Sequence, residues 1–470
     1  MTVFLSDINI MQLPIHRLLS RATWLKIHLY LALSAGFFFA LMGLTGSISI
    51  YREELDELLN PKLVIEQPLG KRQSLDKIIS AVRAAHPNRY GSWTMEMPRS
   101  PQGMITVWYE KPRETFFELY APLMVSVNPY TAEVVASRFW GQTVTTWLLD
   151  LHTQLQLNRF GWNAVGILGL LLMVSIGTGI YLWWPGLRGI RAAFAAPAAK
   201  AYQSSLALRL RHHVGMIQLA FDLHRLIGLL SASILLLLAF TGFHLSYPSI
   251  LAALVGTSGM EHGGTGKNII SSAIPNNHPV ALESAEFIAR GPFPRAELRR
   301  VTTPAGDSGI YRINLRQGNE INLRHPYTTV WVDRWSGQIK EVRDPSGFNQ
   351  GEVFTTWIWP LHTGEAFGAT GRLLWFLTGI GLFVLYVSGL LRWLHRRGNI
   401  RDRELNFAAL RPLFYRVQQA LYRLGMMLFR LLVLLLQRAK TYAPYVIKRG
   451  VTLLQWLRSR INQQKRLGKK

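Results

Sequence analysis

Four of the thirteen histidines in this chain recur at matched positions in two halves. His28 is followed seventeen residues later by Thr45-Gly46, and His224 seventeen later by Thr241-Gly242. The string Thr-Trp-x-x-x-Leu-His-Thr occurs twice, over Thr146–Thr153 and Thr356–Thr363, and places His152 and His362 alike. From each of those histidines it is 27 residues to a glycine, Gly179 or Gly389, and four more to Trp183 or Trp393. Two neutral imidazoles facing each other across a gap are what bis-histidine ligation of haem iron requires. Taken singly, a histidine at a helix end is more often an interfacial residue bonded to headgroups or water, and duplication alone preserves such matches. His244 lies about 200° around a straight helix from His224, and its counterpart is Ile48; His395 aligns with Pro185. Both are therefore secondary candidates. His16, His212 and His213 fall in basic segments and read as lipid-facing or solvated.

Four apolar stretches must carry these residues: Leu29–Ile50, Ala164–Trp184, Leu226–Leu245 and Leu373–Trp393. Each is about 20 residues, enough at roughly 1.5 Å per residue to cross a hydrocarbon core of roughly 30 Å. Arg392 is the one charge among them, at the very end of its stretch, where it can snorkel. The expected fold is a mainly α membrane protein: four transmembrane helices in a tandem parallel repeat, with two small α+β modules between them. The predicted segments are 1–27 (cytoplasmic), 28–50 (first span), 51–150 (outer module), 151–184 (His152 segment and second span) and 185–223 (basic loop). Then follow 224–247 (third span), 248–360 (second outer module), 361–394 (His362 segment and fourth span) and 395–470 (basic amphipathic tail).

The net charge of +25 invites a nucleic-acid reading. Its distribution argues otherwise. Residues 1–27, 185–225 and 392–470 hold 28 basic side chains against four acidic ones, while 51–150 and 248–360 are nearly neutral. That alternation is the positive-inside pattern of a multi-pass protein with both termini cytoplasmic. The charge encodes topology and contact with the anionic lipid bilayer; with no aromatic–basic stacking platform, no nucleic-acid partner is expected. The first apolar run is long enough to span and lacks a small-residue cleavage site, so it is expected to be an uncleaved anchor. The chain has no cysteine, which excludes disulfides, covalent c-type haem and cysteine-ligated iron–sulfur clusters.

The outer loops repeat as well. Val127–Val134 resembles Val332–Ile339, and both predict strand, turn, strand. Ser74–Ala85 has helical periodicity, and Ile105–Tyr109 and Phe116–Tyr120 alternate like strands. One helix from His152 to Trp183 would run about 46 Å, longer than a membrane needs. Breaks are therefore predicted at Asn158–Gly161 and Ala366–Gly368, with the outer histidines on short segments folded against the bundle.

The histidine-led helix ending in Thr-Gly, the run from Tyr51 to Pro61, the Leu-His-Thr and Trp-Trp-Pro motifs and the Val-Asn-Pro-Tyr-Thr module together resemble the PepSY-associated transmembrane family. The resemblance covers roughly residues 15–397. Members of that family include inner-membrane ferric-siderophore reductases of Gram-negative bacteria. The resemblance implies two non-covalent b-type haems, an inner one on His28 and His224 and an outer one on His152 and His362. It also implies a bacterial inner-membrane location and a ferric siderophore as periplasmic acceptor.

No flavin or nicotinamide fingerprint accompanies these motifs, so a separate cytoplasmic donor is expected: a protein, a quinol or reduced flavin. The acidic run Glu53, Glu54, Asp56 and Glu57 could offer oxygen ligands to ferric iron, against a plain solvated helix extension. Trp162 and Trp375 could stack on a cofactor or relay electrons, against the default of an interfacial belt. The competing function is non-enzymatic, with the outer modules binding peptides or a protein partner and the helices serving only as an anchor.

Overall fold

The computed structural model describes residues 20–183 apart from Leu69, 215–255, 269–272, 278–401 and five isolated positions between 416 and 427. The expectations for residues 1–19, for most of 185–223, for the tail beyond Arg401 and for His16, His212 and His213 lie outside the described residues. The described residues divide into two units, one within 1–182 and 231–390, the other within 183–230 and 391–470.

Helices α1 (Arg21–Ser34) and α2 (Gly36–Ile50) cover the first apolar stretch. They meet at a bend of 61°. The bend falls at Ser34-Ala35-Gly36, where the Ser34 hydroxyl donates back to the Tyr30 carbonyl at 2.7 Å; a Ser/Gly pair of this kind is an ordinary cause of a kink. Helix α3 (Arg52–Leu59) continues beyond it, then α4 (Leu75–Ala85), α5 (Val144–Gln154) and α6 (Asn158–Trp183). The C-terminal half holds α7 (Met216–Ser246), α8 (Pro248–Val255), α9 (Leu282–Arg290), α10 (Gln350–Thr363) and α11 (Gly368–Arg396). Among the described residues α6, α7 and α11 are long and apolar enough to cross a membrane, and the bent pair α1–α2 makes a fourth crossing if it is one span.

Small residues let these helices approach closely. A Cβ on Gly43 would lie 2.5 Å from the Gly379 carbonyl oxygen, and one on Gly169 would lie 2.9 Å from that of Ala239. Helix α2 therefore packs on α11, and α6 on α7, through glycine contacts of the kind lipid-embedded bundles use. Ala35, Phe39, Leu235 and Leu382 share an apolar cluster with Leu168, Leu171, Leu172, Ile176 and Leu385.

Outside the bundle lies one antiparallel sheet of eight strands in the order β4-β3-β2-β1-β5-β6-β7-β8. The first four are β1 (Thr94–Glu96), β2 (Ile105–Tyr109), β3 (Leu123–Val127) and β4 (Val134–Phe139). The others are β5 (Glu297–Thr302), β6 (Tyr311–Arg316), β7 (Thr329–Val332) and β8 (Ile339–Arg343). The two four-strand modules are thus joined edge to edge, with Met95 opposite Val301. One sheet face packs beneath α4 and α9, burying Ile78, Val82, Trp93, Val107, Ile313 and Val330. Asp76 of α4 caps α9, accepting from the backbone of Leu282 at 2.9 Å and Glu283 at 3.0 Å. Both predicted hairpins form, and their last turn residues, Ala132 and Gly337, have φ of 64° and 72°. Phe116–Tyr120 is not a strand. Leu123–Val127 takes its place beside β2, and the loop before it turns Phe116 and Phe117 outward.

Candidate functional site: a facing histidine pair

His152 lies on α5 and His362 on α10, the short helices that precede α6 and α11. Backbone geometry ends both short helices abruptly. Leu155, Gln156 and Asn158 have φ of 51°, 58° and 51°, and Gly364 and Gly368 have φ of 78° and 61°. The left-handed turns free each short helix from the spanning helix after it. The second break overlaps the predicted Ala366–Gly368, but the first falls at Leu155–Asn158, before the predicted Asn158–Gly161, which forms the first turn of α6.

The two imidazoles meet with ring centroids 6.3 Å apart and planes inclined by 43°. His152 Nδ1 stands 3.1 Å from the Met42 carbonyl oxygen and 3.2 Å from the Thr45 hydroxyl. His362 Nδ1 stands 2.8 Å from the Thr241 hydroxyl. Thr45 donates its own proton to Leu41, and Thr241 to Leu237, each at 2.7 Å. Each hydroxyl is therefore left as an acceptor, and each Nδ1 must carry the hydrogen. That fixes the tautomer and leaves Nε2 with its lone pair, the arrangement second-shell bonds impose on metal-bound histidine.

The residues fit a haem iron. With a metal–imidazole bond of roughly 2 Å and about 1 Å from ring centre to nitrogen, two imidazoles on opposite sides of one iron have centroids about 6 Å apart. Gly46 and Gly242 line the rings where a Cβ would come within 2.7 Å of His152 Cε1 and 3.3 Å of His362 Cε1. Among the described residues no three His, Asp or Glu side chains gather as a metal site. His152 and His362 would hold the iron through one ring nitrogen each, and a porphyrin would supply its other donors.

His28, on α1, has a seat of the same kind. Its Nδ1 is 3.1 Å from the Ser175 carbonyl and 3.0 Å from the Thr178 hydroxyl, which donates back to Ser175 at 2.8 Å. A Cβ on Gly179 would lie 3.2 Å from His28 Cε1. His224 lies on α7 within the other unit. His244 is buried, and its Nδ1 has no hydrogen-bond partner among the described residues. His395 Nδ1 is bonded to the Ile400 carbonyl at 3.0 Å.

The sheet braces α5. Trp140 donates its indole N–H to Asp150, two residues before His152, at 2.9 Å. Burial raises the Asp150 carboxyl to about 6, against the bonds from Trp140 and Gln154. The acidic run Glu53–Glu57 does form a helix extension, but it is ion-paired as well as partly exposed. Glu53 meets Arg324 at 2.8 Å, Glu54 meets Arg372 at 2.6 Å, and Asp56 takes two bonds from Arg138 at 2.9 and 2.8 Å. Trp375 is buried, bonds the Leu361 carbonyl at 2.8 Å and thereby holds the residue before His362. Trp162 bonds the Ser246 carbonyl at 3.2 Å.

Thr45, Gly46, Thr241 and Gly242 are visible in the sequence as repeat markers, but their role as seats for the outer histidines is not. The PepSY-associated TM region, as a family model, matches residues 25–396. No curated protein matches the chain. With the match covering most of the chain, the chain belongs to the family of the PepSY-associated TM region.

Proposed function

We propose that this chain is a b-type haem oxidoreductase of the bacterial inner membrane, passing electrons from a cytoplasmic donor to a periplasmic acceptor, a ferric siderophore. One contact carries the proposal: two imidazoles, each locked as the Nδ1–H tautomer, facing each other at 6.3 Å. His152 and His362 would hold an outer haem, and His28 and His224 an inner one. Bound haem would supply one-electron transfer. The chain's own part is to hold each imidazole neutral, fix its tautomer through threonine and backbone acceptors, and orient it through a glycine seat. The tandem arrangement of four spans is supported by matched contacts in the two halves. Trp162 bonds Ser246 where Arg372 bonds Ile50, and Gly169 meets Ala239 where Gly379 meets Gly43.

The test is chemical. Protein purified from membranes should give two haems per chain by pyridine haemochrome, both extracted by acid acetone because no cysteine tethers them. A chain that purifies folded without haem, or with copper in its place, overturns the proposal. Orientation is tested separately: reporter fusions near Gly103 and Gly306 should read as periplasmic, and fusions after Ala199 as cytoplasmic.

A further inference from the structure

The loop between β2 and β3 ends in two outward rings. Phe117 is 93% exposed and Phe116 68% exposed, packed edge to face against each other at 5.9 Å. Such a pair costs solvation in water unless something covers it. The loop does not swing free. Arg89 holds Glu114 at 2.6 Å, Thr115 donates to the Ala121 carbonyl at 2.5 Å, and the Leu119 backbone N–H donates to the Asn158 side chain at 2.8 Å. Asn158 is the first residue of α6, a membrane-spanning helix. On that same turn Leu157 and Phe160 are 52% and 75% exposed. Phe117 is two residues from Leu119, so its backbone lies within about 7 Å of the residue that is bonded to the head of the span. Helix α6 would be about 39 Å long against a core of roughly 30 Å, which sets Asn158 in the headgroup layer. Lys111 and Arg113, both exposed, stand in the same loop with charges suited to lipid phosphates.

We propose that Phe116 and Phe117 are a two-ring membrane anchor, inserted into the outer leaflet beside the head of α6. The occupant is lipid because the loop is bonded to a span at the level where that span exposes its own apolar side chains. The matching loop of the C-terminal half, between β6 and β7, has no phenylalanine, so the anchor belongs to one module alone. The inference stands independently of haem. The full chain has no cysteine, so Phe117→Cys creates a single thiol for an environment-sensitive dye. In phosphatidylethanolamine–phosphatidylglycerol nanodiscs, that dye should be blue-shifted, quenched by lipids nitroxide-labelled high on the acyl chain, and shielded from iodide. The same dye on Phe287→Cys, an exposed position of α9 on the sheet's other side, should be quenched by iodide alone. Phe116→Cys repeats the measurement should Phe117→Cys fold poorly. Iodide quenching equal to that at Phe287 overturns the proposal, as does shielding from both quenchers, which would mean that protein covers the rings.

Discussion

Gly46 lies so close beneath His152 that a Cβ there would stand 2.7 Å from the imidazole Cε1, whereas at Gly242 the corresponding distance to His362 is 3.3 Å. The first contact is tighter than side chains tolerate and the second is only snug. Gly46→Ala should therefore displace the ring and lower outer-haem occupancy, at a cost of about 1–3 kcal/mol for overpacking. Gly242→Ala should be milder. Haem content per chain checks both, and a Gly46→Ala protein with unchanged content would mean that His152 does not hold its ring over this glycine.

Thr45 and Thr241 make a second pair of matched contacts, each accepting from a histidine Nδ1. Valine keeps the shape and removes the acceptor. Thr45→Val and Thr241→Val should weaken haem retention by about 10–100-fold, the usual range for bonds behind a metal ligand. Serine at either site should restore it. The readout is haem transfer to apomyoglobin, and equal rates in the valine and serine variants would argue that the hydroxyls only fill space.

These contacts show where sequence reading stops. The spans are legible from run length alone, and the four histidines from their spacing, because both are local or periodic signals. The break before α11 is legible from glycine, while the one before α6 is legible only to within a few residues, because Leu155 and Gln156 turn left-handed without any glycine. The partner of His152, by contrast, lies 107 residues away at Thr45, and no periodicity reports such a contact. The joining of the modules escaped for the same reason: β1 has three residues and pairs with β5 across some 200 positions. Phe116–Tyr120 misled because alternation marks a half-buried strand only when one side is covered, and here Phe116 and Phe117 are both exposed.

The junction of span and sheet should be acid-sensitive in a defined direction. Burial would raise the Glu53 carboxyl, but Arg324, Arg99, Arg52 and Arg372 together hold it down at about 2, from an ordinary 4.5. Between those values the unfolded chain takes up a proton that the folded chain refuses. Stability from these pairs is thus complete above about pH 4.5 and is lost as pH falls towards 2. Glu53 is 43% exposed, so solvent screening limits the effect to about 1 kcal/mol. Glu53→Gln should melt slightly earlier at pH 7 and lose less between pH 5 and 3 than the parent; parallel pH profiles would mean that the pairs contribute nothing.

Loss of ligands should follow the geometry of the outer pair. His152→Ala or His362→Ala removes one of two facing nitrogens, so either should abolish the outer haem and leave the inner one. That inner haem should still be reducible by a cytoplasmic donor but not reoxidised by a periplasmic acceptor. His28→Ala or His224→Ala should remove the inner haem and block electron entry while the outer haem still loads. His244 is the discriminating control. It is buried, with an Nδ1 that has no partner among the described residues, yet its match in the other half is Ile48, so symmetric ligation has no place for it. His244→Ala should retain both haems, at most with a shifted potential. Low-temperature electron paramagnetic resonance resolves the two low-spin signals separately. Should His244→Ala erase one of them while His152→Ala keeps both, the ligation is asymmetric and the pairing by repeat is wrong.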